Sequence, residues 1–352
     1  MTISQQVSVA NDWDTEKEER LYRSLDRYWH PVLYAEDLGD QPVKVVLLEK
    51  QIVVVRLGGE VRAFTDRCAH RGTAVSLGWV EGDCLRCPYH GWLYNADGQC
   101  VEYPAREDVA ISPQAKLVRH HAAERNGLIY VCMADEPRFP IPEFPEFTDP
   151  SYRVISVPPY DWKVGPARRT ENFVDFSHFA WVHDGVLASR DEPVVPEHKV
   201  VRGDTELRTQ IVVEEPAETA KTRSMSVDST QTSVPGERNY RVPIPFTVWL
   251  EQKMPGGDTF VLFMVCLPIG PKLSRSFTFY ARNFAFDADD QIYIKFQQEI
   301  AEADRVVAES QRPEELPIDL REEMYVRGAD AMSVEYRRWL LELVKESESA
   351  EA

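Results

Sequence analysis

The sequence has no long apolar run and, for its size, little positive charge. Its longest apolar run, residues 260–267, is too short to cross a bilayer, and residues 1–20 lack the apolar core that a signal peptide needs. The 40 lysine and arginine residues face 58 aspartate and glutamate residues, which gives a formal net charge of −18. A surface this acidic repels phosphate backbones. We therefore expect a cytoplasmic protein that binds neither nucleic acid nor membrane.

Cysteine is also scarce, with six residues in 352. Disulfides are not expected in a chain of this length without a secretion signal, because the cell interior keeps thiols reduced. Eight tryptophans, 14 tyrosines and 15 phenylalanines supply enough apolar mass for a core without covalent cross-links. The length suggests two domains. The role of the cysteines therefore has to be inferred from their spacing.

The order of sequence patterns predicts an α+β protein. Short β-rich runs with Gly-Gly, Asp-Gly and Asn-Gly turns fill residues 43–131, which is typical of a compact antiparallel β domain. Five prolines within residues 134–150 predict a linker. Strands then precede helices without regular alternation, which disfavours a doubly wound sheet. The other predicted elements are a helix over residues 15–30, a helix near 168–184, strands between about 197 and 284, and helices over about 288–312 and 330–346.

Two short motifs in the β domain each combine a cysteine with a histidine. They are Cys68-Ala-His70-Arg-Gly and, after sixteen intervening residues, Cys87-Pro-Tyr-His90-Gly-Trp. Two thiolates and two imidazoles can bind zinc as a tetrahedron, or a two-iron cluster with the thiolates on one iron and the imidazoles on the other. Zinc sites usually pair like ligands, whereas each loop here mixes them. The spacing therefore favours a Rieske [2Fe–2S] centre over zinc.

A second group of potential ligands lies in residues 170–185. Asn172, Asp175 and His178 recur every three residues, which predicts that they share one helical face. His183 follows five residues after His178, about 140° further round an ideal helix. Both imidazoles can reach one metal only if the helix ends or distorts between them, and Gly185 is consistent with such an end. Two histidines beside an aspartate and an asparagine favour a metal site.

A mononuclear iron site also needs an anionic ligand, and Asp304 in the helix predicted over residues 288–312 offers one. Ile300, Val307 and Ala308 lie at −4, +3 and +4 from it, so we expect the carboxylate to project from the apolar, inward face. A carboxylate on a core face needs a partner. Periodicity alone leaves a metal and a neighbouring arginine equally good partners.

Together these motifs resemble those of the Rieske non-haem iron oxygenases, and the section over residues 241–248 is most similar to the vanillate O-demethylase branch. The likeness extends from Arg27 to Trp339. It implies a cluster held by two cysteines and two histidines, and a 2-His-1-carboxylate triad for mononuclear iron(II). The implied cluster ligands are Cys68, His70, Cys87 and His90, and the implied iron ligands are His178, His183 and Asp304.

The resemblance also implies an architecture. An N-terminal antiparallel β Rieske domain precedes a catalytic domain whose antiparallel sheet packs against helices, the helix-grip or START-like arrangement. The expected boundaries are a helical lead-in over residues 1–40, the Rieske domain over 41–133, a proline-rich linker over 134–150, the catalytic domain over 151–346 and an acidic tail over 347–352.

In function, the resemblance implies the terminal oxygenase, or alpha, component of a multicomponent system. It would use dioxygen to hydroxylate, or to O- or N-demethylate, a small aromatic substrate. The sequence has neither a Gly-rich dinucleotide motif nor the plant-type C-x4-C-x2-C ferredoxin spacing, so electrons are expected from a separate reductase or ferredoxin. Ring dihydroxylation is the alternative within the family. A Rieske electron carrier fused to a ligand-binding module is the alternative from another class.

Two further residues receive a role from the resemblance. Asp175 is expected to orient His178 and to hydrogen-bond a cluster histidine, by analogy His90, of a neighbouring subunit in a head-to-tail homotrimer. Asn172 is expected beside it at the catalytic centre. For the substrate pocket, Arg241 could meet a substrate carboxylate or lie on the surface. Five residues could line the pocket, although most are expected to be core: Phe246, Trp249, Phe260, Phe263 and Met264.

Overall fold

The computed structural model describes residues 16–106, 108–223, 232–254 and 256–351; the first fifteen residues of the expected helical lead-in lie outside these ranges. The chain begins with helix α1 (Glu16–Ser24) and one 3₁₀ turn (Leu25–Arg27). The sequence analysis predicted a helical lead-in as far as residue 40. Residues 30–34 instead form a strand paired with residues 128–132. Pro31 explains the difference, because a proline lacks the helical N–H and disfavours helix at the residue before it.

The first domain is antiparallel, as predicted. A six-stranded sheet has the order β1-β10-β9-β4-β3-β2, and a smaller sheet has the order β5-β6-β7-β8. The first cysteine–histidine loop lies between β4 and β5, and the second lies between β6 and β7. The strands are β1 (His30–Tyr34), β2 (Val43–Leu47), β3 (Lys50–Leu57), β4 (Glu60–Thr65), β5 (Trp79–Glu81), β6 (Cys84–Arg86), β7 (Leu93–Tyr94), β8 (Cys100–Glu102), β9 (Arg119–Arg125) and β10 (Leu128–Cys132).

The predicted glycine turns join these strands. Asn126 and Gly127 both have positive φ, 52° and 72°, as the tight hairpin between β9 and β10 requires. Gly127 is also needed for space, because a Cβ atom there would lie 2.7 Å from the ring of Phe147. Local turn chemistry therefore fixes this hairpin.

The second domain is a seven-stranded antiparallel sheet with helices, so the α+β expectation is confirmed. Its strand order is β11-β17-β16-β15-β14-β13-β12. The sequence patterns missed β11. The elements are β11 (Arg153–Trp162), α2 (Pro166–Val174), α3 (Phe179–Val182), β12 (Val201–Arg202), β13 (Glu206–Pro216), α4 (Ala217–Arg223), β14 (Ser233–Pro243), β15 (Thr247–Lys253), β16 (Thr259–Gly270), β17 (Leu273–Arg282), α5 (Asp290–Ala308) and α6 (Ala331–Glu351).

The last two helices differ from their predicted lengths. α5 starts where Asp289 accepts a hydrogen bond from the Gln291 amide, and it ends four residues before the predicted end at 312. α6 runs beyond residue 346 into the acidic tail, as far as Glu351. None of the helices in the described part of the chain is long and apolar enough to cross a membrane.

The largest apolar core contains residues of both domains, and the proline-rich segment lies against it. Phe144, within that segment, stacks on Phe263 of β16 at a ring distance of 4.6 Å. The hairpin between β2 and β3 reaches the same strand, because the amides of Leu48 and Glu49 donate to the carbonyls of Pro268 and Ile269. Segment 134–150 is therefore packed rather than a free tether.

Because His30 at the start of β1 is buried, we expect the free energy of unfolding to fall in mild acid. The Nε2 of His30 lies 2.7 Å from the Leu25 carbonyl oxygen, and burial lowers the pKa of His30 to about 4 despite that hydrogen bond. In the unfolded chain its pKa returns to about 6.5, so between these pH values the unfolded state binds the extra proton. Stability should fall by about 3 kcal/mol as the pH drops through this window.

Urea unfolding at pH 7 and at pH 4.5 measures this contribution. His30→Gln keeps a donor for the Leu25 carbonyl but cannot be protonated, so its stability should depend less steeply on pH. His121→Gln is the matched control, because His121 is an exposed histidine on β9 of the same sheet. Equal pH dependence in wild type and His30→Gln would contradict the prediction.

Candidate active site

Two loops bring the predicted cluster residues together. In each loop a glycine with positive φ, Gly72 at 75° and Gly91 at 71°, donates its amide back to the carbonyl of the cysteine four residues earlier. The rings of His70 and His90 lie 4.5 Å apart at the tips of the loops, and His90 is exposed. The two loops are therefore built alike, as their sequences suggest.

The donor atoms of this group fit an iron–sulfur cluster. The Nδ1 atom of His70 is buried and has no hydrogen-bond partner in the described part of the chain, while both cysteines are free and buried. Burial, with help from the neighbouring thiol of Cys68, raises the pKa of the Cys87 thiol. Partial burial, together with His90 and Arg71, lowers the pKa of His70, so its imidazole stays neutral and able to bind a metal.

Tyr94 and Trp92 also belong to this site; the sequence analysis missed Tyr94 and noted Trp92 only as the last residue of the second motif. The Tyr94 hydroxyl lies 3.1 Å from the Cys68 sulfur and accepts a hydrogen bond from the Ala69 amide at 3.2 Å. Trp92 stacks flat against His70 at a ring distance of 4.5 Å. A motif identifies ligands but not the residues that orient them.

A second group of ligands converges in the other domain. The Nε2 atoms of His178 and His183 lie 3.3 and 2.8 Å from Oδ1 of Asp304, and one ligand atom from each residue falls within 4.8 Å of the others. Two neutral nitrogens and one carboxylate, with other positions open, are the donor set that non-haem iron(II) takes. The geometry can therefore hold one mononuclear metal ion.

The chain around the two histidines is broken, not a continuous helix. The prediction that Asn172, Asp175 and His178 share one helical face is wrong, because α2 ends at Val174 and Asp175 is extended. The Asp175 side chain accepts a hydrogen bond from the Ser177 amide at 2.9 Å, a local turn that competes with helix. The short helix α3 begins after His178 and ends at Val182, so a helix ends between the two histidines, as expected.

Asp304 projects inward from α5, as predicted. It is 7% exposed, and the buried Ala301 and Ala308 lie on the same side of the helix. Val307, expected on this face, is 46% exposed, so that expectation is wrong. The buried side of α5 is therefore narrower than the sequence pattern indicates.

The three groups are electrostatically coupled. Burial alone would lower the pKa of His178, but the carboxylates of Asp175 and Asp304 outweigh it and raise the pKa to about 9. Burial would favour a neutral Asp304, yet the hydrogen bonds and charges of the two histidines hold its pKa well below the usual range. The site thus keeps an anion beside two imidazoles, and a divalent metal would displace the proton of His178.

Asn172 and Asp175 lie beside this group on its polar side. Asn172, His178 and Asp304 line both an apolar pocket and a polar depression. Asp175 lines the depression but not the pocket. Asp175 is 36% exposed, and its Oδ2 lies 3.4 Å from Nδ1 of His178. Arg169 donates to Oδ1 of Asn172 at 3.0 Å. Asp175 therefore connects a histidine of the triad with the protein surface.

The apolar pocket has about 720 Å³ of empty space, including its open mouth. Of the five residues considered from the sequence, only Phe260 lines it, and the other four are buried in the core. Arg241 is outside the pocket and forms an ion pair with Glu206. The apolar lining of the pocket includes Phe173, Phe179, Leu250, Phe260, Leu262 and Ile300.

The sequence analysis also missed polar residues of this pocket. Arg238 and Gln252 come from neighbouring strands of the sheet, at paired positions of β14 and β15, and Gln297 comes from α5. Arg238 had a detectable signal, because it alternates in phase with the buried Val234 and Tyr240 along β14. A charged residue on a buried strand face marks either an ion pair or a binding site.

Comparisons with known proteins find relatives of both domains. The Rieske [2Fe-2S] domain matches residues 28–113, and the vanillate O-demethylase oxygenase C-terminal domain matches residues 162–346. Methylxanthine N1-demethylase from Pseudomonas putida is 36% identical over 339 residues, which cover 93% of this chain and 90% of the relative. Methylxanthine N3-demethylase from the same species is 33% identical over 341 residues, 93% of this chain and 91% of the relative.

Solved structures give the same result. NdmA of Pseudomonas putida CBB5 with caffeine has a TM-score of 0.82 and 34% identity, with 94% of each chain covered. Dicamba monooxygenase bound to dicamba, at 20% identity and a TM-score of 0.78, shares the fold over 92% of this chain and 99% of its own. Since the likeness spans both domains, the chain belongs to the Rieske non-haem iron oxygenases, oxidoreductases that use a Rieske [2Fe–2S] cluster, mononuclear iron and dioxygen.

Proposed function

We propose that this oxygenase removes a methyl group from nitrogen or oxygen of a small aromatic compound, with electrons from a separate reductase or ferredoxin. The observation that carries the proposal is the position of the His178–His183–Asp304 triad, which lines a largely apolar pocket. Hydroxylation of the methyl carbon gives an unstable product that releases formaldehyde. Two relatives that cover more than nine-tenths of this chain are methylxanthine N-demethylases.

The proposal assigns each group of residues a task. Cys68, His70, Cys87 and His90 hold the cluster, and the triad holds the iron. Iron(II) bound there supplies dioxygen activation, and the cluster supplies electrons. Aromatic side chains around the triad exclude water and fix a flat substrate with its methyl group towards the metal.

Electron delivery to the triad is proposed to cross a subunit interface. The side chain of Asp175 is partly exposed next to His178, and His90 is exposed at the tip of its loop. A head-to-tail contact between copies would place His90 of one copy against Asp175 of the next, and such heterologous contacts close into a ring when the rotation between copies is right. We therefore propose a homotrimer in which Asp175 links the two metal centres.

Formaldehyde release tests the demethylation. The purified protein with NADH and a panel of N- and O-methylated aromatic compounds should give no product alone, and should release formaldehyde once a reductase of a related system is added. Catechols or dihydrodiols without formaldehyde would instead indicate ring dihydroxylation. NADH oxidation in step with product by the isolated chain would contradict a separate electron donor.

The iron content of the purified protein distinguishes an oxygenase from an electron carrier. An oxygenase of this type binds about three irons per chain together with two sulfides, whereas an electron carrier fused to a ligand-binding module binds about two irons. Zinc without acid-labile sulfide would contradict both.

A further inference from the structure

We propose that Arg238 binds a carbonyl oxygen of the substrate in the pocket beside the triad. This inference rests on the proposed demethylase function and narrows its substrate class to flat N- or O-methylated compounds that carry a neutral carbonyl group. Arg238 comes from the middle of β14 and lines the pocket together with His178 and His183.

Arg238 has an unused hydrogen-bond donor at this position. The residue is 2% exposed, and its Nε donates to Oε1 of Gln252 at 2.9 Å. Its Nη2 is buried and has no hydrogen-bond partner in the described part of the chain. A buried donor without a partner is costly, and guanidinium donors form strong hydrogen bonds. A substrate oxygen in the pocket would supply the missing acceptor.

The charge around Arg238 favours a neutral acceptor over a carboxylate. Glu215 of β13 is fully buried, and its Oε1 lies 3.9 Å from Nη2 of Arg238. Gln252 bridges the two, because its Nε2 donates to Oε2 of Glu215 at 2.5 Å. A carboxylate is thus already present beside the guanidinium, and a second one would be desolvated next to it.

The other arginine of the pocket is differently placed. Arg169 of α2 donates from Nη1 to Asn172 and from Nη2 to the Tyr160 hydroxyl at 2.8 Å, and its guanidinium lies over the Trp162 ring. Both of its terminal nitrogens are therefore already used. The Nε of Arg169 is buried and also lacks a hydrogen-bond partner in the described part of the chain, but of the two pocket arginines Arg238 is the one with a terminal nitrogen left for substrate.

Binding to the anaerobic holoenzyme, measured by calorimetry, tests the inference with three probes. Caffeine carries neutral carbonyl groups, 1-methylbenzimidazole carries none, and N-methylanthranilate carries a carboxylate. Wild type should bind caffeine more tightly than either of the others. Arg238→Met should weaken caffeine binding by roughly 10- to 100-fold, the loss expected for a hydrogen bond to a charged group. Binding of 1-methylbenzimidazole should change less than threefold.

Two variants separate recognition from folding. Arg238→Met/Glu215→Gln also removes the charge of the buried carboxylate beside Arg238, and it should show the same loss for caffeine with an unchanged melting temperature. Arg241→Met is the matched control, since Arg241 lies on the same strand but outside the pocket, and it should bind all three probes like wild type.

Two results would overturn the inference: a wild type that does not prefer caffeine to 1-methylbenzimidazole, or a double variant that loses affinity for both compounds equally. Formaldehyde release is measured in a separate experiment, because it tests the demethylase function and not the recognition by Arg238. Caffeine binding that depends on Arg238 without any formaldehyde would contradict the demethylase function and leave the recognition intact.

Discussion

Replacing Asp304 with asparagine should abolish product formation while leaving the protein coloured. Because the triad has one anionic ligand, its loss should lower iron affinity, and activity should fall by more than about 100-fold, since even outer partners of metal ligands cost 10- to 100-fold. The visible absorption of the cluster should persist, because its proposed ligands lie in the other domain. Metal analysis should show a loss of about one iron per chain, with the two cluster irons retained.

Two further variants make this test specific. Cys87→Ser should have the opposite effect, losing the visible absorption while the triad still binds iron. Glu302→Gln changes another acid of α5 that is exposed and paired with Arg305, so it should keep both iron and activity. Full activity in Asp304→Asn, or loss of the cluster in that variant, would remove Asp304 from the proposed iron site.

Asp175→Asn should stop electron delivery without dismantling either centre. An asparagine can still accept the hydrogen bond from the Ser177 amide, so the turn after α2 should survive. It loses the charge beside His178 and, in the proposed trimer, beside His90 of the neighbouring subunit. We expect the cluster, most of the iron and the trimer to be retained, and product formation to fall by roughly 100-fold or more.

A single-turnover experiment locates the defect. The protein is reduced anaerobically and mixed with dioxygen and substrate, and reoxidation of the cluster is followed by its visible absorption. Wild type should reoxidise in step with product, whereas Asp175→Asn should stay reduced. Asp191→Asn, an exposed aspartate of the loop after α3, is the control and should behave like wild type. Near-normal turnover in Asp175→Asn, or a wild-type monomer with full activity, would contradict the proposed route.

Sequence reasoning succeeded where the signal is local. The cysteine–histidine loops could be predicted because each loop is a short segment whose ligands and glycine lie within a few residues of one another. The inward side of α5 could be predicted for Asp304 from the 3.6-residue period. The antiparallel first domain followed from its turn residues, such as the pair Asn126 and Gly127.

It failed where side-chain competition for the backbone or tertiary contacts decide. The end of α2 at Val174 depends on the side chain of Asp175 competing for a backbone amide, a choice that periodicity does not register. Tyr94 reaches Cys68 across 26 residues of sequence, and nothing in its own segment marks it. Arg238 could be noticed on a buried strand face, but its unpaired nitrogen and its proximity to the triad depend on how the sheet packs.

The packed proline-rich segment also constrains how this protein can be redesigned. Phe144 is stacked on Phe263, and the hairpin at Leu48 and Glu49 is hydrogen-bonded to β16, so a cut within residues 134–150 would expose apolar surface on both sides. A chimera that exchanges catalytic domains between relatives has to carry this segment and the matching hairpin along with the sheet. Recombination boundaries are therefore better placed by shared contacts than by the change in sequence composition.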